Sequence, residues 1–241
     1  MKICDAFWEI RNLGVTCSEI DIEENDSLEV VSTQLGNIVS QYQVARAPVA
    51  RIDILQKLEK EGFHFIECVF EVFHDLTEVT LSDVWIRMCN SMRYQKVPAE
   101  GLNRIENEIR KGIFSTDRVA LDPKFSPSIS NERYVNWLRD EIEQGGSVYE
   151  VIYNNKGVGF FTFREDGSER DNSVLSGLYR ELSLPGVGNV LLLKILEEAR
   201  KRSLKTLTSH ISTNNLAVVK THQSLGFRIS GIRYIYVKHE E

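Results

Sequence analysis

Two apolar rhythms alternate along the chain. Behind Pro48, the residues Val49, Ile52, Ile54, Leu55 and Leu58 fall at helical spacing, Gly62 closes the segment, and Phe63 opens an apolar run that lasts to Phe73. Spacing of three and four marks one face of a helix, and a β-rich run bounded by glycine marks a strand. Two shorter β-prone stretches, 29–33 and 41–45, are expected to be strands as well. A strand over 93–97 leads into a polar helix over 99–111. The segment 114–125 reads as irregular, because Pro123 and Pro127 forbid a continuous helix there. An aromatic-rich helix over 131–143 follows, with Tyr134, Trp137 and Leu138 on one face.

Gly145-Gly146 then turns the chain into a hairpin, 148–153 and 158–164, joined by Asn154-Asn155-Lys156-Gly157. The pattern closes with a strand at 173–182, a helix at 189–202, a strand at 204–212, a helix at 215–224 and a strand at 227–238. Strands and helices interleaved in this way predict an α+β fold, a mixed twisted sheet flanked by helices. The order strand, helix, Gly-Phe, strand over 42–73 recurs as strand, helix, Leu-Gly-Phe, strand over 204–238, so the chain repeats itself in outline. Composition shifts between Asn90 and Pro98. The expected division is a smaller α/β domain over 1–95, a degenerate half-repeat, and a second domain over 96–241.

At 241 residues the chain is long enough for one large core or two small ones. The net charge of −6 speaks against a nucleic-acid surface, which usually shows a basic stripe, so no such partner is expected, although a locally basic pocket for a phosphorylated small molecule is still allowed. No stretch approaches the roughly 18 apolar residues of a membrane span, and residues 1–9 lack a charged segment followed by an apolar run, which together predict a cytoplasmic protein. Cys4, Cys17, Cys68 and Cys89 show no C-x-x-C spacing, so neither a disulfide framework nor a metal site is expected.

Chemistry concentrates near the end of the chain. Gly186-Val187-Gly188-Asn189 stands between a strand and a helix with the apolar face Val190, Leu193, Ile195, Leu196 and Ala199. Glycines let backbone approach a ligand closely, and the first amides of a helix point at whatever lies there. Hydrogen bonds and the helix dipole both favour a pyrophosphate at such a place, although an ordinary turn capped by Asn189 uses the same residues. One strand later Asn215 reads as a helix N-cap, with His222 near the end of that helix and Leu225-Gly226-Phe227 stopping it.

That succession resembles the acyl-CoA-binding half of the GNAT superfamily of N-acetyltransferases. The family's Q/R-x-x-G-x-G/A pattern maps its two small positions onto Gly186 and Gly188; Ser183 stands where it has Gln or Arg, and Pro185 where a basic or polar residue is usual. The resemblance implies a GNAT-like fold, acetyl-CoA as co-substrate, and cofactor contacts from Leu178, Leu182, Ser183, Gly186, Val187, Gly188, Asn189 and Asn215. It also implies that the strand around 177–182 is splayed from its neighbour to admit pantetheine. His222 falls on the family's catalytic tyrosine, as a proton donor or a base. The base towards the amine is left unassigned, although Glu181 and Tyr179 lie nearby.

The Phe7-Trp8-Glu9, Leu13-Gly14-Val15, Phe114, Asp117-Arg118, Asp122 and Phe125, and Tyr134 and Trp137 motifs resemble two-domain enzymes that acetylate nucleotide-linked deoxyamino sugars of the TDP-fucosamine type. This resemblance implies a small-molecule amine acceptor and places Arg118, Phe125 and Tyr134 near it. Arg118 alternatively serves a salt bridge, and the aromatics serve the core. Two other readings remain open: an acetyltransferase acting on a peptide, polyamine or antibiotic amine, and a non-catalytic acyl-CoA-binding relative. A homodimer is compatible with either.

Overall fold

The computed structural model describes residues 1–164, 170–171, 175–181 and 185–240. The chain begins with β1 (Lys2–Asp5), α1 (Trp8–Leu13) and β2 (Cys17–Asp21), then α2 (Leu28–Leu35). Residues 29–33, expected as a strand, lie inside α2. Val30-Val31 is locally β-prone, but the Ser27 hydroxyl accepts the Val30 N–H at 3.2 Å, and Val31 and Leu35, four apart, are both buried. The cap and the buried face therefore outweigh local preference. β3 (Tyr42–Pro48), α3 (Ile52–Lys60) and β4 (His64–His74) complete the first half.

A helix the pattern did not foresee, α4 (Asp83–Asn90), precedes β5 (Met92–Lys96), α5 (Leu102–Arg110) and the single turn α6 (Arg118–Leu121). The Asp117 carboxylate caps α6 by accepting the Ala120 N–H at 3.1 Å. α7 (Pro127–Glu143) starts ahead of the expected 131 because Pro127 occupies its first turn, where a missing N–H costs nothing. β6 (Ser147–Tyr153) and β7 (Lys156–Phe163) form the expected hairpin, with Asn154 and Asn155 at φ +47° and +60°. Two positive-φ residues give the turn whose twist matches the strands. β8 (Arg170–Asp171), β9 (Ser176–Leu178), α8 (Val187–Lys201), β10 (Thr206–Ser212), α9 (Leu216–Ser224) and β11 (Arg228–His239) finish the chain.

These strands build a seven-stranded sheet, β1-β2-β3-β11-β4-β10-β8, and a four-stranded one, β5-β6-β7-β9. Exchanging β3 with β10 and β4 with β11 returns the order β3-β11-β4-β10 reversed, with every pairing antiparallel as before. The two Gly-Phe corners match as well. Gly62 and Gly226 lie at φ +85° and +84°, and Phe63 and Phe227 behind them are buried. The halves differ where the sheets part. β2 and β3 are hydrogen-bonded in parallel from Cys17 and Tyr42 to Asp21 and Arg46, whereas β9 and β10 belong to different sheets. The central core wraps α8, whose Val190, Leu196 and Ala199 meet Phe161, Phe163 and Phe227. Each such large apolar side chain contributes about 1.5–3 kcal/mol by leaving water.

Candidate active site

A cavity of about 970 Å³ lies where the two sheets part. Leu175 and Ser176 beside and on β9, the length of β10 from Leu207 to Ser212, and Asn215, Val218 and His222 of α9 line one side. Glu67, Val69 and Glu71 of β4 line the other, with α1, α6 and α7 above them. Side chains two apart on a strand share a face, which is why these three β4 residues meet the cavity together.

The glycine turn enters α8 beside this gap. Gly186 is the residue before the helix, at φ +86°, and its carbonyl accepts the Asn189 and Val190 amides at 3.0 and 3.2 Å. The Val187 and Gly188 amides have no carbonyl within the helix to bond, which is the property an anion needs. A Cβ at Gly186 would stand 2.6 Å from the Trp85 ring, so α4 closes over this corner. At Gly188 a Cβ would meet Leu178 and Thr221 only at ordinary contact distance, 3.8 and 3.6 Å. The Val187 side chain is buried in the core. Asn189 ties the two helices together: its amide donates to Ser224 at 3.1 Å and its oxygen accepts from Thr221 at 3.2 Å. Leu178 is half-buried against the same core, while Leu182 and Ser183 lie outside the described residues.

Asn215 caps α9, its side-chain oxygen accepting the Val218 N–H at 3.1 Å, and it also lines the cavity. His222 stands two turns further on, 9% exposed, with its ring edge-on to Phe227 at 4.6 Å. Its Nδ1 lies 2.9 Å from the Val218 carbonyl, which can only accept, so Nδ1 carries the proton. Burial lowers the imidazole pKa, and the bond to Val218 only partly opposes it. A neutral ring protonated at Nδ1 keeps a lone pair on Nε2.

The remaining wall is rich in ions. Arg118 pairs with Glu9 at 3.2 Å and Glu19 at 2.6 Å, and Arg133 with Glu9 at 2.8 Å and Asp117 at 3.3 Å. Burial opposes ionisation of Glu19, but Arg118 and Arg46 outweigh it and hold the carboxyl at about 2. Arg46 pairs with Glu19 and Asp21, and Arg233 with Glu71 and Glu23. Each of the four cavity arginines is thus engaged by carboxylates.

Of the residues expected near the acceptor, Arg118 and Tyr134 line the cavity, Tyr134 stacking on Phe114 at 4.2 Å. Phe125 does not line it; that ring packs on Tyr42 and His239 in another core. Glu181 is an exposed partner of Lys111, and the Tyr179 hydroxyl donates to Glu150 at 3.0 Å, both away from the cavity lining. Glu67 was missed by the sequence reading, although a carboxylate in the apolar run 63–73 was a visible signal.

No family model and no curated protein sequence matches the chain. Solved structures do. A GCN5-related N-acetyltransferase from Sphaerobacter thermophilus aligns at TM-score 0.57 and 12% identity over 82% of this chain. An acetyltransferase of the GNAT family from Colwellia psychrerythraea aligns at 0.58 and 14% over 91%. The fold is that of the GCN5-related N-acetyltransferases. A tandem GNAT protein of the clavulanic acid biosynthesis pathway aligns at 0.57 and 10%, over 93% of this chain and 77% of its own. The Colwellia protein is covered over 75% of its length, and the chain spans only 59% of the Sphaerobacter protein. Within the GNAT fold, the unbridged β9/β10 gap falls where the splayed strand was expected.

Proposed function

We propose that the protein transfers an acetyl group from acetyl-CoA to a primary amine. One observation carries this reading: β9 and β10 part around a cavity that the His222 ring lines, and the glycine entrance of α8 stands beside β9, where a Cβ at Gly188 would lie 3.8 Å from Leu178. The chain's residues suit the co-substrate. The Val187 and Gly188 amides would take its pyrophosphate, and the free edge of β9 would pair with pantetheine amides, as an unpaired strand edge does.

Forming an amide from a thioester needs a neutral amine and a proton for the departing thiolate. In this reading His222 begins as an acceptor. Its Nε2 takes an amine proton as the C–N bond forms and passes it to sulfur as the C–S bond breaks. The family's tyrosine would instead donate directly, which a neutral imidazole protonated at Nδ1 does not do from Nε2.

The carboxylate-rich wall supports a cationic amine as acceptor. A nucleotide-linked amino sugar remains the finer reading suggested by the 114–125 segment, but its phosphates would compete with carboxylates already paired to Arg46, Arg118, Arg133 and Arg233. Calorimetry with acetyl-CoA and CoA, followed by acetylation assays on putrescine, glucosamine, a short peptide and an amino-sugar nucleotide, tests the proposal. Absence of binding at millimolar concentration removes it. In His222→Gln, kcat should fall about 10²-fold with CoA affinity retained; unchanged turnover there and in His222→Ala excludes the histidine.

A further inference from the structure

We infer that the acceptor's ammonium group is received by Glu67, so that the first half of the chain holds the amine while the second half holds the acyl donor; this rests on the acetyl-transfer reading above. Glu67 is 5% exposed and lines the cavity from β4, next to β10. Its Oε1 accepts the Arg118 backbone N–H at 2.8 Å. Its Oε2 is buried and has no hydrogen-bond partner. The hydroxyl of Ser212, across on β10, accepts the Asn214 N–H at 3.3 Å and stands close enough to the Glu67 carboxyl to lower its pKa, without the geometry of a hydrogen bond to Oε2.

A buried carboxylate oxygen without a donor is costly, and native proteins rarely leave one empty. Glu141 also lines the cavity with a buried, unpartnered Oε2, but its other oxygen has the Arg164 guanidinium at 3.5 Å as a counter-charge. Glu9 and Glu19 each face two guanidinium groups, and Glu71 faces one. An ammonium is the donor that suits Glu67: it carries the compensating charge and supplies a proton. Burial, then the negative charge of Asp117, raises the carboxyl pKa, against the opposing pull of Ser212 and Arg118. From α7, Arg133 and Tyr134 also face this corner, and His222 of α9 lines the same cavity. A carboxylate whose affinity for a proton is raised in this way is suited to accept one from an alkylammonium.

The proton balance closes with two acceptors. The ammonium gives one proton to Glu67 Oε2. The amine nitrogen attacks the thioester carbon, the C–S bond breaks, and the second proton leaves nitrogen for sulfur by way of His222. The products are the N-acetylamine, the CoA thiol and a protonated Glu67, which returns its proton to solvent. The repeat gives this assignment a structural logic, since β2 and β3 are bonded together and leave the first half no splayed cleft of its own.

Glu67→Gln keeps the size and the Arg118 contact but cannot take a proton. With the best-acetylated amine of the panel as probe, kcat/KM should fall by about 10²–10³, and the acid limb of its pH profile should disappear, while acetyl-CoA affinity stays at the wild-type value. Glu67→Asp should recover part of the rate. Turnover within twofold of wild type in Glu67→Gln, with an unaltered acid limb, overturns the inference while leaving the transfer reading intact; failure of the wild type to bind acetyl-CoA overturns the transfer reading. A ¹³C-carboxyl titration, with the Glu67 signal assigned by its loss in Glu67→Gln, needs no acceptor. A midpoint above the ordinary glutamate range is expected, and one at or below it refutes the proton-accepting role.

Discussion

At Arg118 the same guanidinium faces Glu9 and Glu19, and the network extends through Arg133 and Arg46. Breaking such a buried network by removing one partner costs about 3–5 kcal/mol, because the carboxylates are left uncompensated. Arg118→Met should lose stability on that scale in urea unfolding, and a loss below about 1 kcal/mol would show that the network is hydrated. Acid should act on the same residues. The Glu19 carboxyl has an ordinary value of 4.5 and is held at about 2 in the fold, so its contribution is complete above pH 4.5 and is lost as pH falls towards 2. Unfolding curves of the wild type should steepen in that window, and those of Arg118→Met should be flatter there. From sequence, Asp117-Arg118 read first as a salt bridge, with a phosphate contact as the other use of the same guanidinium. Only the convergence of α1, β2 and α7 on one point shows which carboxylates Arg118 meets.

Among the elements, the entrance of α8 is the one most exposed to a single change. Gly186 needs a positive φ and packs under Trp85 at a distance no side chain tolerates. Gly186→Ala combines backbone strain of about 1–2 kcal/mol with displacement of α4. Thermal unfolding should register the loss, and in the proposed reading acetyl-CoA affinity should fall with it; a variant as stable as wild type refutes the packing argument. Gly188→Ala, with room around it, is the control and should be milder in stability. The glycines, the Asn215 cap and the Gly226 stop were legible because each is a local requirement of backbone geometry. α4 and the true character of 29–33 were not legible, since burial of Trp85 and Met88 on α8, and of Val31 and Leu35 on the sheet, is decided by distant residues.

For the molecule as a whole, the arrangement β3-β11-β4-β10 places the last strand between two strands of the first half. β11 pairs with β3 along Arg233 to His239 and with β4 from Arg228 onward. A fragment of residues 96–241 would expose both edges of β11 and one edge of β10. It should fail to fold alone, giving poor amide dispersion in NMR spectra, and mixing it with a fragment of residues 1–95 should restore the native spectrum. An isolated 96–241 fragment with native dispersion would show that interleaving is not needed for stability.

By itself the sequence determined the helices and strands of the second half, the repeat in outline, the glycine entrance, the cap and the unusual histidine, all of which follow from periodicity and from residues whose backbone needs are local. The tertiary structure decided which face of each element meets the cavity. His222 became a lone-pair donor through a carbonyl four residues away, and Glu67, 155 positions from it in sequence, came to line the same space because β4 lies beside β10. Strand alternation said that Glu67, Val69 and Glu71 share a face; no local rule could say that the face would enclose an unpaired carboxylate oxygen, since that depends on the direction in which two halves of a sheet interleave.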